Sequence, residues 1–186
     1  MHRQQLLQLL ADYRTPFNME AGYVNRTRHF VEQHPDCFNR ELLPGHVTGS
    51  AWVVNPARDQ VLLLHHGKHH QWFQPGGHAD GDADILRVAL RETHEETGLA
   101  PEHIHLVDAG IFDVDIHTIA ASHRGPRHNH YDIRFLVEID STLPVPGSDE
   151  SHQVLWVKLE DALRYNNNLS TCRMVEKTRR LRHSGR

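Results

Sequence analysis

Cysteine is scarce. Only Cys37 and Cys172 occur in 186 residues, too far apart for a metal-binding or redox pair, so both read as buried or free thiols and no disulfide framework is expected. Long apolar runs are missing too, and no window approaches the length needed to cross a bilayer. The opening Met1-His2-Arg3-Gln4-Gln5-Leu6-Leu7-Gln8-Leu9-Leu10 lacks both an uninterrupted apolar stretch and a small-residue cleavage site. A cytoplasmic protein with no membrane partner is expected. Internal repeats and low-complexity linkers are absent, which excludes solenoids and disordered tethers. Neither sign of charge dominates: the formal charge is -4 with 18 histidines counted as neutral, and mild acid would reverse it. Net charge therefore names no partner. The basic stretch Arg173, Lys177, Arg179, Arg180 and Arg182 reads as the cationic end of a helix rather than a nucleic-acid surface. A homodimer is left open.

What is present suits a soluble globular chain, with 38% hydrophobic and 24% charged residues and a length that fits one catalytic domain with an appendage. Residues 1–45 read as a helical N-terminal extension: Leu6, Leu7, Leu9 and Leu10 mark a short helix, and Tyr23, Thr27, Phe30 and Val31 recur at helical spacing in a second. Residues 46–186 are expected to form the main domain. There the pattern turns strand-like, with Ala51 to Val54 and Val61 to Leu64 separated by Asn55-Pro56 as a hairpin. Further strands are expected at Ile111 to Ile119, Tyr131 to Ile139 and Val154 to Leu159, with a closing helix from about Glu160. These strands lie too close together for an all-parallel sheet, so the class is α/β with a mixed sheet.

The best helix lies between Asp82, a plausible N-cap, and Gly98, a C-terminal stop. It carries Glu92, Glu95 and Glu96 within five positions. Glu92 and Glu96 are one turn apart and Glu95 lies beside them, so three carboxylates share a face. Hard divalent ions take such oxygen ligands, which suits magnesium and disfavours zinc. From spacing alone, a solvated acidic face explains the cluster equally well.

The segment from Gly77 to Leu99 resembles the Nudix box: glycine, five residues, glutamate, seven residues, then Arg-Glu-U-x-Glu-Glu-x-Gly-U, with U a bulky aliphatic residue. Gly77, Arg91, Glu92, Glu95, Glu96, Gly98 and Leu99 fall in register behind Pro75-Gly76. Two positions depart, with Ala83 in place of the first glutamate and Thr93 in place of an aliphatic residue. Asp82 and Asp84 flank the missing carboxylate and could supply an oxygen through water. The resemblance implies an α/β/α sandwich from about His46 to Tyr165 and a hydrolase that cleaves a phosphoanhydride bond in a nucleoside diphosphate linked to another group. It also implies a magnesium cofactor, replaceable by manganese, held by Glu92, Glu95 and Glu96, one of which orients or deprotonates the attacking water. Arg91 would pair with a box carboxylate. Family members often add a carboxylate before the Trp-containing late strand, and Glu150, ahead of Trp156, is preferred over Asp149.

Strict alternation places Asp113, Asp115 and His117 on one strand face, and His130, Asp132 and Arg134 on another. If these strands pair, the two faces meet as a polar cleft floor, in which Asp115, His117, His130 and Asp132 would contact substrate or a further metal. The other reading is a solvent-facing side of a sheet. Gln74 and His78 adjoin the glycines and are candidate phosphate contacts. The tract His65-His66-Gly67-Lys68-His69-His70 reads as a polar turn. Ala83 supports a competing hypothesis, a non-catalytic Nudix-fold sensor of a nucleotide or sugar phosphate, against which stand the three helix glutamates. An isoprenoid-diphosphate isomerase on the same fold would need a cysteine before the box, where none occurs after Cys37.

Overall fold

The computed structural model describes residues 2–66, 71–122, 125–148 and 151–184, with residues 66, 151, 152 and 184 given as backbone only. The chain opens with α1 (Gln4–Asp12) and α2 (Asn18–Gln33), followed by β1 (Gly45–Val54), β2 (Gln60–His66), β3 (Gln71–Phe73), β4 (Gly76–His78) and α3 (Ile85–Thr97). It continues through β5 (His105–Leu106), β6 (Asp113–Ile119), β7 (His128–Glu138), β8 (Ser151–Lys158), α4 (Ala162–Tyr165) and α5 (Leu169–Ser184). The strands form a mixed sheet of order β3-β2-β1-β7-β5, with β4 on β1, β6 on β7 and β8 on β2. β1 and β7 run parallel in register from Gly45 opposite Asn129 to Val54 opposite Glu138. Their neighbours are antiparallel, including the expected hairpin, in which Val54 faces Val61.

Every residue of β1 is buried, because its two faces feed different cores. Val47 joins Tyr131, Ile133 and Phe135 beneath α3 and the two N-terminal helices. Trp52 and Val54 join Leu63 and Leu136 beneath α4 and α5, where Met174 and Val175 complete the cluster. The sheet is therefore covered on both sides, as expected for an α/β/α sandwich. No helix is long and apolar enough to cross a membrane among the described residues.

The N-terminal segment is more than an appendage to this core. Leu6, Leu10, Phe30 and Val31 lie within it, and Phe30 stacks on Tyr131 of β7 with ring centroids 3.9 Å apart. Helices α1 and α2 thus supply part of the wall of the sandwich.

Candidate functional site

The chemistry-bearing helix sits close against the sheet. Gly49 of β1 allows the approach, since a Cβ there would lie 2.9 Å from the Ile85 carbonyl oxygen and 3.2 Å from Ala89 N. α3 begins two residues later than expected, with Asp84 as N-cap accepting from Arg87 N at 3.1 Å. Asp82 instead receives the Arg87 guanidinium, at 2.8 Å from Nε and 2.6 Å from Nη2. Both aspartates flanking Ala83 are thereby engaged locally, Asp82 with Arg87 and Asp84 with the helix N-terminus. Gly98 ends the helix in the left-handed region, φ 70°, which a residue without Cβ adopts at little cost. Thr93 is fully buried, and its hydroxyl donates to Ala89 O at 2.7 Å, which satisfies the one polar atom it brings to an aliphatic position.

The three glutamates differ in setting. Glu92 is half-buried and accepts from Arg91 Nη2 at 2.8 Å, while the same guanidinium nitrogen donates to His78 O at 2.9 Å. Arg91 thus pairs with a box carboxylate and ties it to β4. A Cβ on Gly77 would collide with the Glu92 carboxylate, so the bare glycine backbone is what admits it. Glu96 accepts from the Gly76 amide at 2.9 Å, and Glu95 is exposed. Two box carboxylates therefore lie against the glycine pair of β4 and a third stands in solvent; their oxygens suit a hard divalent cation, but among the described residues only the histidines below bring three ligand atoms within 4.8 Å of one another. Gln74 is half-buried between β3 and β4. Glu150 and its alternative Asp149 lie outside the described residues, as does the histidine tract from 67 to 70.

The pairing expected for the alternating strands is present, with Asp113 opposite Arg134, Asp115 opposite Asp132 and His117 opposite His130. The parallel neighbour β1 adds His46, Thr48 and Ser50 to the same face. Part of this face is sealed, however. Asp132 is 2% exposed and accepts from Thr48 Oγ1, Ser50 Oγ and Arg134 Nε at 2.9, 2.8 and 2.7 Å. Asp113, fully buried, receives Arg173 Nε at 2.8 Å and Lys177 Nζ at 2.6 Å. Asp115 lies 3.4 Å from both Arg134 Nη2 and Arg173 Nη2. Asp132, expected in the floor of the cleft, is instead buried, and its oxygens are engaged by this network. Arg173 and Lys177, read as part of the cationic end of a helix, instead lie ahead of its last turn and are buried against the aspartates. Burial alone would raise the Asp113 carboxyl's pKa, but hydrogen bonds from Arg173 and the charges of Arg134 and Lys177 outweigh it and hold it below the ordinary range.

The other end of the face is a group of histidines. His46, His78 and His130 bring their ring nitrogens within 4.8 Å of one another. His128 and His117 flank them, each with a ring centroid 5.2 Å from that of His130. Burial, reinforced by neighbouring histidines, pushes His46 down to about 4 and His130 to about 2. An ill-aligned hydrogen bond to the Leu42 backbone acts in the opposite direction on His46. Sequence reasoning missed His46; its signal was the polar alternation His46, Thr48, Ser50 inside an otherwise apolar strand.

A family model described as NUDIX domain matches residues 45–177. The asymmetrical bis(5'-nucleosyl)-tetraphosphatase of Mus musculus is 29% identical over 126 residues, covering 67% of this chain and 76% of that protein. A probable DHNTP pyrophosphohydrolase of Lactococcus lactis is 29% identical over 83 residues, covering 44% of this chain, and the match spans 48% of the Lactococcus protein. Among solved structures, a binary complex of the C. elegans Ap4A hydrolase superposes with a TM-score of 0.59 at 21% identity, covering 73% of this chain and 96% of that one.

Proposed function

This chain belongs to the Nudix family, and on that premise we propose that it is a magnesium-dependent hydrolase that cleaves a phosphoanhydride bond in a nucleoside diphosphate linked to another group. The observation that carries the reading is the seating of Glu92 and Glu96 against the Gly76-Gly77 backbone, with Glu95 exposed beside them. Glu92, Glu95 and Glu96 would hold the divalent ion, and manganese would substitute for magnesium. A bound divalent ion supplies a lowered pKa for water and neutralises charge on the phosphoryl oxygens. The chain's own contribution is positioning. Arg91 holds Glu92 against β4, and the Gly76 amide orients Glu96. Gln74, His78, His117 and His130 lie on or next to the strands bordering this site and are proposed substrate contacts. Asp115 and Asp132 act through the network that holds those strands rather than by touching substrate.

The relatives named above act on dinucleoside and pterin polyphosphates by their names, which places nucleotide-type anhydrides first in a substrate screen. The chain would be incubated with dinucleoside polyphosphates, nucleotide sugars, coenzyme A and oxidised nucleotides, with magnesium or manganese. Released phosphate or nucleoside monophosphate would be read against Glu95→Gln. Turnover that needs the ion and is lost in the variant is expected. No turnover on any compound, with binding retained, would favour a sensor instead.

A further inference from the structure

We propose that His46, His78 and His130 form a second metal site, for a borderline divalent transition ion of the zinc, cobalt or nickel class, distinct from the carboxylate site on α3. These residues come from three adjacent strands: β7 and β1 set His130 beside His46 in parallel register, and β4 brings His78 opposite Thr48, next to His46 on the same face. Their potential ligand atoms already lie within 4.8 Å of one another. Metal–imidazole bonds of about 2.0–2.1 Å require nitrogens roughly 3.3 Å apart in a tetrahedral site, so small ring rotations complete the geometry.

The second observation is an unmet bonding need. Among the described residues, the buried Nε2 of His130 has no hydrogen-bond partner, and the ring nitrogens of His46, which is 1% exposed, have at most an ill-aligned one at the Leu42 backbone. Buried polar atoms without partners cost stability and are rare in native proteins. A metal ion resolves the need directly.

Three imidazoles with an open fourth position are the arrangement of zinc sites that keep a water or substrate oxygen. Nitrogen donors select borderline ions, whereas the glutamates on α3 select magnesium or manganese. The two lie on opposite faces of β4: Gly77 faces the Glu92 carboxylate, while Gly76 faces Ser50 on the histidine side. The partly exposed His117, with a side chain 43% exposed, marks the open side of the cluster. A phosphate oxygen entering there would be the fourth ligand.

Cobalt titrated into the metal-free, untagged full chain tests the site by its visible absorption, with bound metal counted by mass spectrometry. A single cobalt ion per chain is expected, displaced by zinc and indifferent to millimolar magnesium. His78→Asn and His130→Asn should weaken binding by more than the roughly 10–100-fold typical of losing a group that merely supports a ligand. Glu92→Gln and Glu96→Gln should abolish hydrolysis and leave cobalt binding intact, so that failure here is separable from failure of the proposed function. His69→Asn with His70→Asn should also leave it intact, because the proposed ligands are His46, His78 and His130. X-ray absorption of the zinc-loaded wild-type chain reads the ligands without relying on any variant, and three imidazole nitrogens are expected. No bound ion, a ligand set with fewer than three imidazoles, or loss of binding only in the His69/His70 variant would overturn the proposal.

Discussion

Replacing Lys177 by methionine should be among the most destabilising single changes to a charged residue in this chain. Its Nζ is enclosed by four oxygens: Glu20 Oε1 at 2.5 Å, Asp113 Oδ1 at 2.6 Å, Tyr13 Oη at 2.8 Å and the Phe112 carbonyl at 2.9 Å. It therefore joins α5 to α2, to the end of α1 and to the entry of β6. The carboxylates of Glu20, Asp113, Asp115 and Asp132 face three cations, Arg134, Arg173 and Lys177. Removing Lys177 takes the buried excess from one negative charge to two, while methionine keeps most of the stem's packing. Stranding one partner of a buried pair costs about 3–5 kcal/mol. In a chain of this size each kcal/mol moves the midpoint by about 2–4 °C, so Tm should fall by about 6–20 °C. Melting and urea unfolding at neutral pH would measure it. Adding Glu20→Gln should restore part of the loss, because it removes one of the two uncompensated negative charges. A fall in Tm of less than about 2 °C, or a double variant no more stable than the single, would refute the reasoning.

Glu95→Gln should reduce turnover by orders of magnitude at unchanged Tm, because Glu95 is exposed; full activity in excess chelator would contradict the metal requirement. Glu96→Gln should cost similar activity and also some stability, since it weakens the bond from the Gly76 amide. Asp132→Asn should lower Tm, as it strips charge from a buried pair with Arg134; wild-type melting with altered kinetics would return Asp132 to the cleft. Because the folded Asp113 titrates below its unfolded value, its stabilisation is present above pH of about 4 and is lost as pH falls through the carboxylate range. Asp113→Asn should therefore be weaker at pH 7 but have a flatter acid limb, and parallel limbs would exclude this. Ala83→Glu should tighten magnesium binding by up to roughly 10–100-fold in calorimetric titration, at some stability cost because Ala83 packs against the core; unchanged affinity would deny that position any role.

Local signals carried the sequence reading furthest. The box spacing, the stop at Gly98 and the strict alternation of β6 and β7 each depend on residues within a turn or a strand of one another, and all three are present in the fold. The N-cap was displaced from Asp82 to Asp84 because two neighbouring aspartates offer the same chemistry, and the Arg87 side chain decides between them. What covers a sheet face is a long-range matter. Lys177 and Glu20 are 157 positions apart, and nothing near either marks it as buried. The three-residue β4 is too short for a periodic signal, so the convergence of His78 with His46 and His130 was not legible.

The polar face of the sheet divides by what lies over it. At one end Trp52, Leu63 and Leu136 meet the apolar side of α5, and the Trp52 indole donates to Thr178 Oγ1 at 2.9 Å. In the middle the same helix turns Arg173 and Lys177 onto the aspartates, where hydrogen bonds satisfy charges that apolar cover would leave stranded. At the far end His117, with its Nδ1 3.5 Å from Asp115 Oδ2, faces partly into solvent. Asp115 is thus the hinge between a structural network and an open histidine cluster, bonded to Arg134 on one side and bordering His117 on the other. A change there alters both the fold and the cluster. Kinetic effects of variants on this face can therefore be assigned to chemistry only when melting shows the network intact.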